Sequence, residues 1–316
     1  MPQIHASIDG RVARTLRGMK ALETLYSPAM VARSGSYSPS AEKPAAVVED
    51  LLTSGISLSI QAPAPVTRED LCRAHDPAYV DGVLGLRRAN GFGNRSAEVA
   101  RSLLFTSGAM LAGARRAIER RVAFAPCSGF HHAGWMLGGG FCTFNGLMVT
   151  ALALLDEEAA KRVAILDCDM HYGNGTDDIL GRLGRPPSIL HFTAGAKFHE
   201  ASQASAFFEW LARAVEACAG CDVVLYQAGA DPHVDDPLGG FLTTEELRER
   251  DARVFEGLAR QSTPVVWNLA GGYRRRPDGS IPDVLEVHRG TALECARIFG
   301  IEISDTNDAT VGLDVP

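Results

Sequence analysis

The stretch from Ile165 to Gly175, ILDCDMHYGNG, decides the fold of this chain. It continues an apolar, β-favouring run from Val163 and then changes to polar residues and glycines, which predicts a buried parallel strand that opens into a loop. Asp169 and His171 are two residues apart, so in extended backbone their side chains point the same way. They could share one divalent metal ion, zinc most readily, although a loop carboxylate bonded to a nearby histidine is the simpler explanation.

Strand and helix patterns alternate along the rest of the chain, with no internal repeat and no change of composition that would mark a linker. Apolar runs at Val122–Ala125, Asp222–Gln227 and Pro264–Leu269 predict further buried strands, and Ala97–Arg121 predicts one long amphipathic helix. We therefore predict an α/β fold made of a single domain, in which helices flank both faces of a parallel sheet.

Composition narrows the class of protein. The chain has 316 residues, 46% of them hydrophobic, and a net charge of −7, which gives no basic field for nucleic acid or an anionic membrane. It shows no signal-peptide pattern and no apolar run of membrane-spanning length, so we expect a cytoplasmic protein. The seven scattered cysteines predict free thiols. We expect a loose N-terminal arm over residues 1–20, the domain over residues 21–303, and a polar tail over residues 304–316.

Four predicted strands end in polar, glycine-rich loops, and the ligand sites of parallel sheets lie at that edge. The loops contain SGFHHA (Ser128–Ala133), DCDMHYGNGT (Asp167–Thr176), GADPHVDDPLG (Gly229–Gly239) and GGY (Gly271–Tyr273). Each loop alone has an ordinary explanation, such as helix capping or the packing of an aromatic ring. Four such loops at one edge of one sheet are much harder to explain by chance, and they favour a functional site.

Together the loops carry the groups that metal-assisted hydrolysis of an amide requires. Asp169, His171 and Asp231 make a three-ligand metal site with room for water and substrate. The other groups are an imidazole pair for acid–base chemistry, two side chains that can orient the imidazoles, and a phenol that can bond an oxyanion: His131 and His132, Asp167 and Asn174, and Tyr273.

These motifs, in this order, resemble those of the zinc-dependent histone deacetylase family, which includes bacterial acetylpolyamine amidohydrolases. The resemblance includes GGFCTFN (Gly139–Asn145) and runs from about Tyr26 to Phe299. It implies the arginase/deacetylase fold, one zinc ion per chain, and removal of an acetyl or related acyl group from an amine such as acetyl-lysine. An acetylpolyamine or another small acyl-amine is the alternative substrate.

The resemblance also implies roles for individual residues. His132 is the expected general base and acid, His131 its electrostatic partner, and Tyr273 the group that polarises the carbonyl. The expected zinc ligands are Asp169, His171 and Asp231, with Asp167 and Asn174 behind the two imidazoles. The expected borders of the substrate channel are Gly140, Phe141, Phe198, Gly271 and Gly272. A potassium ion is a further expectation, held through the backbone at Asp167, Asp169, His171 and Leu190.

Three segments depart from the family pattern. PSAEKP (Pro39–Pro44) lacks the early histidine of the family, the loop Asn90–Arg95 is short and has no rim carboxylate, and few residues separate His191 from the helix predicted at Ala206. The departures lie around the entrance, so we expect a wider and shallower one than in most relatives. A partner chain in a homo-oligomer could supply the missing walls.

Two other functions were weighed against hydrolysis of an acylated amine. A ureohydrolase on the same fold would need a second metal, but Tyr172 and Asn174 stand where its further ligands are wanted. A non-catalytic binder of acyl groups would predict the loss of a ligand or of Tyr273, and all of these residues are present.

Overall fold

All strands of the sheet run parallel in the computed structural model of this chain, which describes residues 20–304. The strands are β1 (Leu22–Leu25), β2 (Leu58–Gln61), β3 (Val122–Ala125), β4 (Val163–Asp167), β5 (Ile189–Thr193), β6 (Val223–Gly229) and β7 (Val265–Ala270). Their order across the sheet is β2-β1-β3-β7-β6-β4-β5. The predicted α/β fold with one parallel sheet is confirmed. The predicted arm (residues 1–20) and the predicted tail (residues 304–316) lie outside the described residues, except for residues 20 and 304.

Helices connect the strands and cover both faces of the sheet. They are α1 (Lys43–Thr53), α2 (Arg68–Cys72), α3 (Pro77–Leu84), α4 (Ala97–Arg120), α5 (Gly146–Asp156), α6 (Asn174–Arg182), α7 (Ala204–Ala217), α8 (Thr244–Arg260) and α9 (Pro282–Phe299). Helix α8 begins at Thr244, because the side chains of Thr243 and Glu246 cap each other's backbone N–H groups. Helix α5 begins at Gly146, because the side chain of Asn145 accepts the N–H of Met148.

The core consists of two apolar layers, one on each face of the sheet. Helices α4 and α5 bury one layer, whereas α7, α8 and α9 bury the other. In the second layer Phe124 of β3 stacks on Trp267 of β7, with ring centroids 3.9 Å apart. Both faces of the central strands are therefore buried, which explains why their sequences are continuously apolar rather than alternating.

The sheet order places the four predicted loops side by side. Strands β3, β7, β6 and β4 are neighbours and run in one direction, so their carboxyl ends meet at one edge. The register aligns Asp167 with Gln227 and Gly229 with Ala270, so that the loops leave the sheet at similar heights. The expectation of one shared edge is confirmed.

Two further expectations concern the whole chain. Within residues 20–304, no helix combines the length and the apolar character that a membrane crossing requires. All seven cysteines are free thiols, as predicted, and Cys218 and Cys221 are both buried.

Candidate active site

Asp169, His171 and Asp231 converge at the centre of the loop edge. Each offers one ligand atom, and the three atoms lie within 4.8 Å of one another. Nδ1 of His171 lies 3.2 Å from Oδ1 of Asp169 and 2.9 Å from Oδ2 of Asp231. The arrangement joins the loop after β4 to the loop after β6, and it is the one group of metal-binding geometry in the described part of the chain.

Glycines allow these loops to approach each other so closely. A Cβ atom on Gly229 would lie 2.6 Å from the Cα atom of Asp169, and one on Gly271 would lie 2.0 Å from the carboxyl carbon of Asp231. Gly271 also has a φ of +47°, a conformation that glycine adopts without strain. The glycines of these motifs therefore have a steric reason, which is the packing of backbone against the candidate ligands.

The charges of this group fit a bound cation. Asp231 is fully buried and Asp169 nearly so, and no Lys or Arg within residues 20–304 lies within 4 Å of either carboxylate. Burial, together with the charge of Asp169, raises the pKa of Asp231 to about 7. Two buried carboxylates beside an imidazole form a donor set that suits a divalent metal such as zinc, whose charge would offset their repulsion.

His131 is held in the floor of the site by a carboxylate. Its Nδ1 lies 2.8 Å from Oδ2 of Asp167, while the other oxygen of Asp167 accepts from Nε2 of Gln227 at 2.9 Å. Burial alone would lower the pKa of His131, but the charges of Asp167 and Asp169 outweigh it and raise that pKa to about 9. The imidazole of His131 is therefore suited to remain protonated and positive near neutral pH.

His132 has the opposite electrostatic character. Burial and the charge of His131, whose ring centroid is 4.1 Å away, lower the pKa of His132. Its Nδ1 donates to Oδ1 of Asn174 at 2.6 Å, which leaves the Nε2 lone pair available to accept a proton. One histidine of the pair is thus a cation and the other a neutral base, although they are adjacent in sequence.

Tyr273 stands at the end of the loop after β7, and its backbone is anchored from two sides. Its N–H donates to Asp236 at 2.7 Å, and the carbonyl of Gly271 accepts from Nζ of the fully buried Lys43 at 2.5 Å. Burial, with the charges of Asp231 and Asp169, raises the pKa of Tyr273 well above its ordinary value. The phenol therefore keeps its proton and can act as a hydrogen-bond donor.

A small cavity lies between these groups, lined by His131, Asp169, Gly140 and Tyr273, among others. Gly140 has a φ of +53°, and a Cβ there would lie 2.6 Å from Cδ2 of His132. The predicted border at Gly140 is therefore in contact with the candidate base. Phe141 follows it, and its ring lies 5.6 Å from the ring of Tyr273.

The structure does not support Phe198 as the wall opposite Phe141. Phe198 packs into an aromatic cluster with Phe207 and Phe241 below the surface, and only 7% of it is exposed. The ring of Tyr37 packs edge to face on Phe141 at a centroid distance of 5.4 Å, and it also lies 6.3 Å from the ring of Tyr273. The resemblance to the family was a poor guide to Phe198, because the segment after β5 aligns only loosely with the family pattern.

Sequence reasoning missed several residues that the structure brings to the site: Tyr37, Lys43, Gln227 and Arg250. Gln227 had a usable signal, since it is a polar residue near the carboxyl end of an otherwise apolar strand. Tyr37 had none, because it lies in a loop rich in serine, glycine and proline that no periodicity describes.

Known proteins resemble this chain in sequence. The sequence model of the histone deacetylase domain matches residues 38–193, just under half of the chain, and includes the loops after β3 and β4. Acetylpolyamine amidohydrolase 1 of Pseudomonas aeruginosa is 33% identical over 202 residues, which cover 54% of this chain and 57% of that protein. Histone deacetylase 2 of Arabidopsis thaliana is 29% identical over 198 residues, which cover 57% and 51%. The chain thus matches little more than half the length of these two relatives.

Solved structures show the same fold. The crystal structure of an acetylpolyamine aminohydrolase from Burkholderia pseudomallei superposes with a TM-score of 0.68 at 19% identity, over 88% of this chain and 99% of that one. The HDA15 HD domain gives a TM-score of 0.69 at 20% identity, over 91% of both chains.

Proposed function

We propose that this chain, whose sequence and fold are similar to those of the histone deacetylase family, is a zinc-dependent amidohydrolase that removes an acetyl or related acyl group from an amine. One observation carries the proposal: Asp169, a member of the triad of metal-binding geometry, lines the same small cavity as the protonated phenol of Tyr273, and the neutral imidazole of His132 lies 5.8 Å from the ring of His171. These are the groups that hydrolysis of an unactivated amide needs.

The metal would be zinc, one ion per chain, held by Asp169, His171 and Asp231. When bound, zinc polarises a carbonyl and makes water more acidic. A potassium ion remains a prediction from the family resemblance. Leu190, one of its expected contacts, lies in the edge strand β5, where it pairs with Ala164 of β4.

The residues around the cavity would divide the proton transfers among them. His132 takes the proton of the attacking water on Nε2 and later delivers one to the leaving amine, and Asn174 holds the ring in the required tautomer. His131 remains positive, which favours the negative charge that develops on the acyl oxygen. Tyr273 donates its hydroxyl proton in a hydrogen bond to that oxygen.

The substrate is proposed only as a class, an acylated amine. The names of the relatives include both histone deacetylases and acetylpolyamine amidohydrolases, so acetyl-lysine and an acetylpolyamine are both compatible with the site. We propose Phe141 and Tyr37 as an apolar wall for the chain that carries the amine, because their rings pack edge to face beside Tyr273. The cytoplasm and a homo-oligomer remain expectations from the sequence.

The two rival functions lose support. A ureohydrolase needs two metals, and the described residues contain one group of at least three ligands at metal-binding spacing. A binder of acyl groups without catalysis would have no use for a charged His131 beside a neutral His132.

Removal and return of the metal tests the proposal. The purified protein should contain one equivalent of zinc by elemental analysis and should release acetate from an acetyl-lysine substrate. Dialysis against a chelator should abolish both zinc and turnover, and one equivalent of zinc should restore both. Full turnover in the metal-free protein would refute the zinc assignment. Absence of turnover on acetyl-lysine, acetylpolyamines and other acylated amines with zinc bound would refute the hydrolase.

A further inference from the structure

A fully buried arginine lies behind the candidate metal ligands. Arg250 of α8 has no exposed surface, and each nitrogen of its guanidinium group has a hydrogen-bond partner. Its Nη1 donates to the carbonyl of Gly229 at 2.6 Å and to the carbonyl of Cys168 at 3.3 Å. The chemistry proposed above makes no use of this residue.

The two carbonyls belong to the two loops that must come together to bind a metal. Cys168 immediately precedes Asp169, and Gly229 lies two residues before Asp231. A single nitrogen of Arg250 therefore connects the end of β4 with the end of β6.

The charge of Arg250 is matched by a neighbour in sequence. Asp251 accepts from Nε at 2.8 Å and from Nη2 at 3.2 Å, and it also accepts the hydroxyls of Tyr226 and Thr291. Asp251 thus fixes the orientation of the guanidinium group, and β6 and α9 in turn fix Asp251. Arg250 can move little without breaking several buried hydrogen bonds.

A purely stabilising role does not explain this arrangement well. Burying two charges costs solvation free energy, and replacing a buried ion pair by apolar side chains is often neutral or stabilising. What an apolar pair could not do is hold two carbonyl oxygens of different loops at fixed positions. The geometry of Arg250 is specific to those two carbonyls.

We propose that Arg250 is a positioning residue that sets the separation of Asp169 and Asp231 and thereby the affinity of the site for its metal. The inference rests on the proposed metal-dependent function. Partners behind metal ligands typically contribute about 10- to 100-fold in metal affinity, and we expect a loss of that size when the Arg250 bridge between the loops is removed.

The test compares zinc affinity among variants, measured by competition with a chromophoric chelator. Arg250→Met should weaken zinc binding about 10- to 100-fold. Arg250→Lys, which keeps a buried donor, should restore part of the loss. Arg248→Met is the matched control, because it removes an arginine of the same helix that bonds Glu294 and neither loop carbonyl; it should leave zinc affinity unchanged.

A second variant keeps the test decisive if Arg250→Met fails to fold. The pair Arg250→Met with Asp251→Asn removes both charges together; the amide oxygen can accept one of the hydroxyls of Tyr226 and Thr291, and the amide N–H can donate to the other. It should fold and still bind zinc weakly, and the visible spectrum of bound Co²⁺ should change, because that spectrum reports ligand geometry. Wild-type zinc affinity and an unchanged Co²⁺ spectrum in a folded variant that lacks Arg250 would overturn the inference alone. A wild-type protein that binds no divalent metal would overturn the proposed function and this inference with it.

Discussion

The floor of the site and its rim are built in different ways. In the floor, Asp167 and Asp231 are completely buried: Asp167 accepts from Gln227 of the adjacent strand β6, and Asp231 accepts the backbone N–H of Met170 in the loop after β4. At the rim, Tyr37 is 55% exposed and Leu137 is 72% exposed. The short loop Asn90–Arg95 is joined to the wall by few bonds, among them that from the N–H of Phe141 to the carbonyl of Gly91.

This difference distinguishes the residues that carry out the reaction from the residues that select the substrate. Buried polar groups have no other hydrogen-bond partners, so their positions are strongly constrained, because every lost hydrogen bond leaves an unsatisfied group. Exposed aromatic side chains can be exchanged at small cost in stability. We therefore expect variants in the floor to change whether the reaction occurs, and variants at the rim to change which substrate reacts.

The largest effect is expected for Asp231→Ala. The variant removes a buried candidate ligand, so zinc should be lost and turnover should fall to the uncatalysed level. Elemental analysis and an acetyl-lysine assay measure the two effects. Asp235→Ala is the matched control, because that exposed carboxylate lies on the same loop and pairs with Arg274 instead. Stoichiometric zinc in the Asp231→Ala protein would contradict the ligand assignment.

His132→Ala and Asn174→Asp should separate proton transfer from orientation. Loss of the base should lower kcat/KM roughly 10²- to 10⁴-fold, whereas Asn174→Asp should have a much smaller effect. The new carboxylate would favour the protonated imidazole and raise the pKa of His132. Since the base must be neutral to act, the acidic limb of the pH–rate profile should move to higher pH. Losses of equal size in the two variants would contradict the assigned roles.

Tyr273→Phe should affect turnover and leave binding intact. One donor to an oxyanion is worth about 2.7–4 kcal/mol, or a factor of roughly 10² to 10³ in kcat. Zinc content and the affinity for substrate should remain unchanged, because charge develops on the oxygen only during the reaction. Tyr172→Phe, at an exposed tyrosine bonded to Asp177, provides the control. Weaker binding with unchanged kcat would assign Tyr273 to substrate recognition instead.

The sequence predicted the floor well because short motifs carry it. Within one loop, Asp169 and His171 are fixed by their spacing, and parallel strands that end in polar loops had to share one edge. The order of the strands was not predictable from the pattern, nor was the contact of Arg250 with two carbonyls 82 and 21 residues away. Such contacts depend on how α8 packs on the sheet, and no local periodicity records them.

The sequence predicted the rim poorly for a physical reason. Rim loops have no periodicity, so a residue's position in the sequence is a weak guide to the contacts that it makes. Phe198 therefore appeared to be a wall, whereas it fills the core beside Phe207 and Phe241. Tyr37 supplies the wall from a loop that the sequence identified only as irregular. Its backbone carbonyl accepts from Nε of Arg275, two residues after Tyr273.

Exchanging these two aromatic residues for alanine tests the difference at the rim. Phe198→Ala should lower the free energy of unfolding by about 3–5 kcal/mol, since it opens a cavity in a packed cluster. It should leave the preference among acyl groups unchanged. Tyr37→Ala should do the opposite, with unchanged stability and a changed ratio of kcat/KM between acetyl and butyryl substrates.

The change in acyl preference caused by Tyr37→Ala is expected to be the smallest of the effects predicted for these variants. One wall contact discriminates by only about 1–3 kcal/mol per methylene, and here the entrance keeps few walls. The wild-type protein should therefore prefer one acyl chain over another only modestly, and Tyr37→Ala should reduce that preference further. Denaturant unfolding and a series of acetyl, propionyl and butyryl substrates provide both measurements. A preference for acetyl by several decades in a protein that sediments as a monomer would refute the open entrance. A Phe198→Ala protein of normal stability but altered acyl preference would show that Phe198 lines the substrate channel after all.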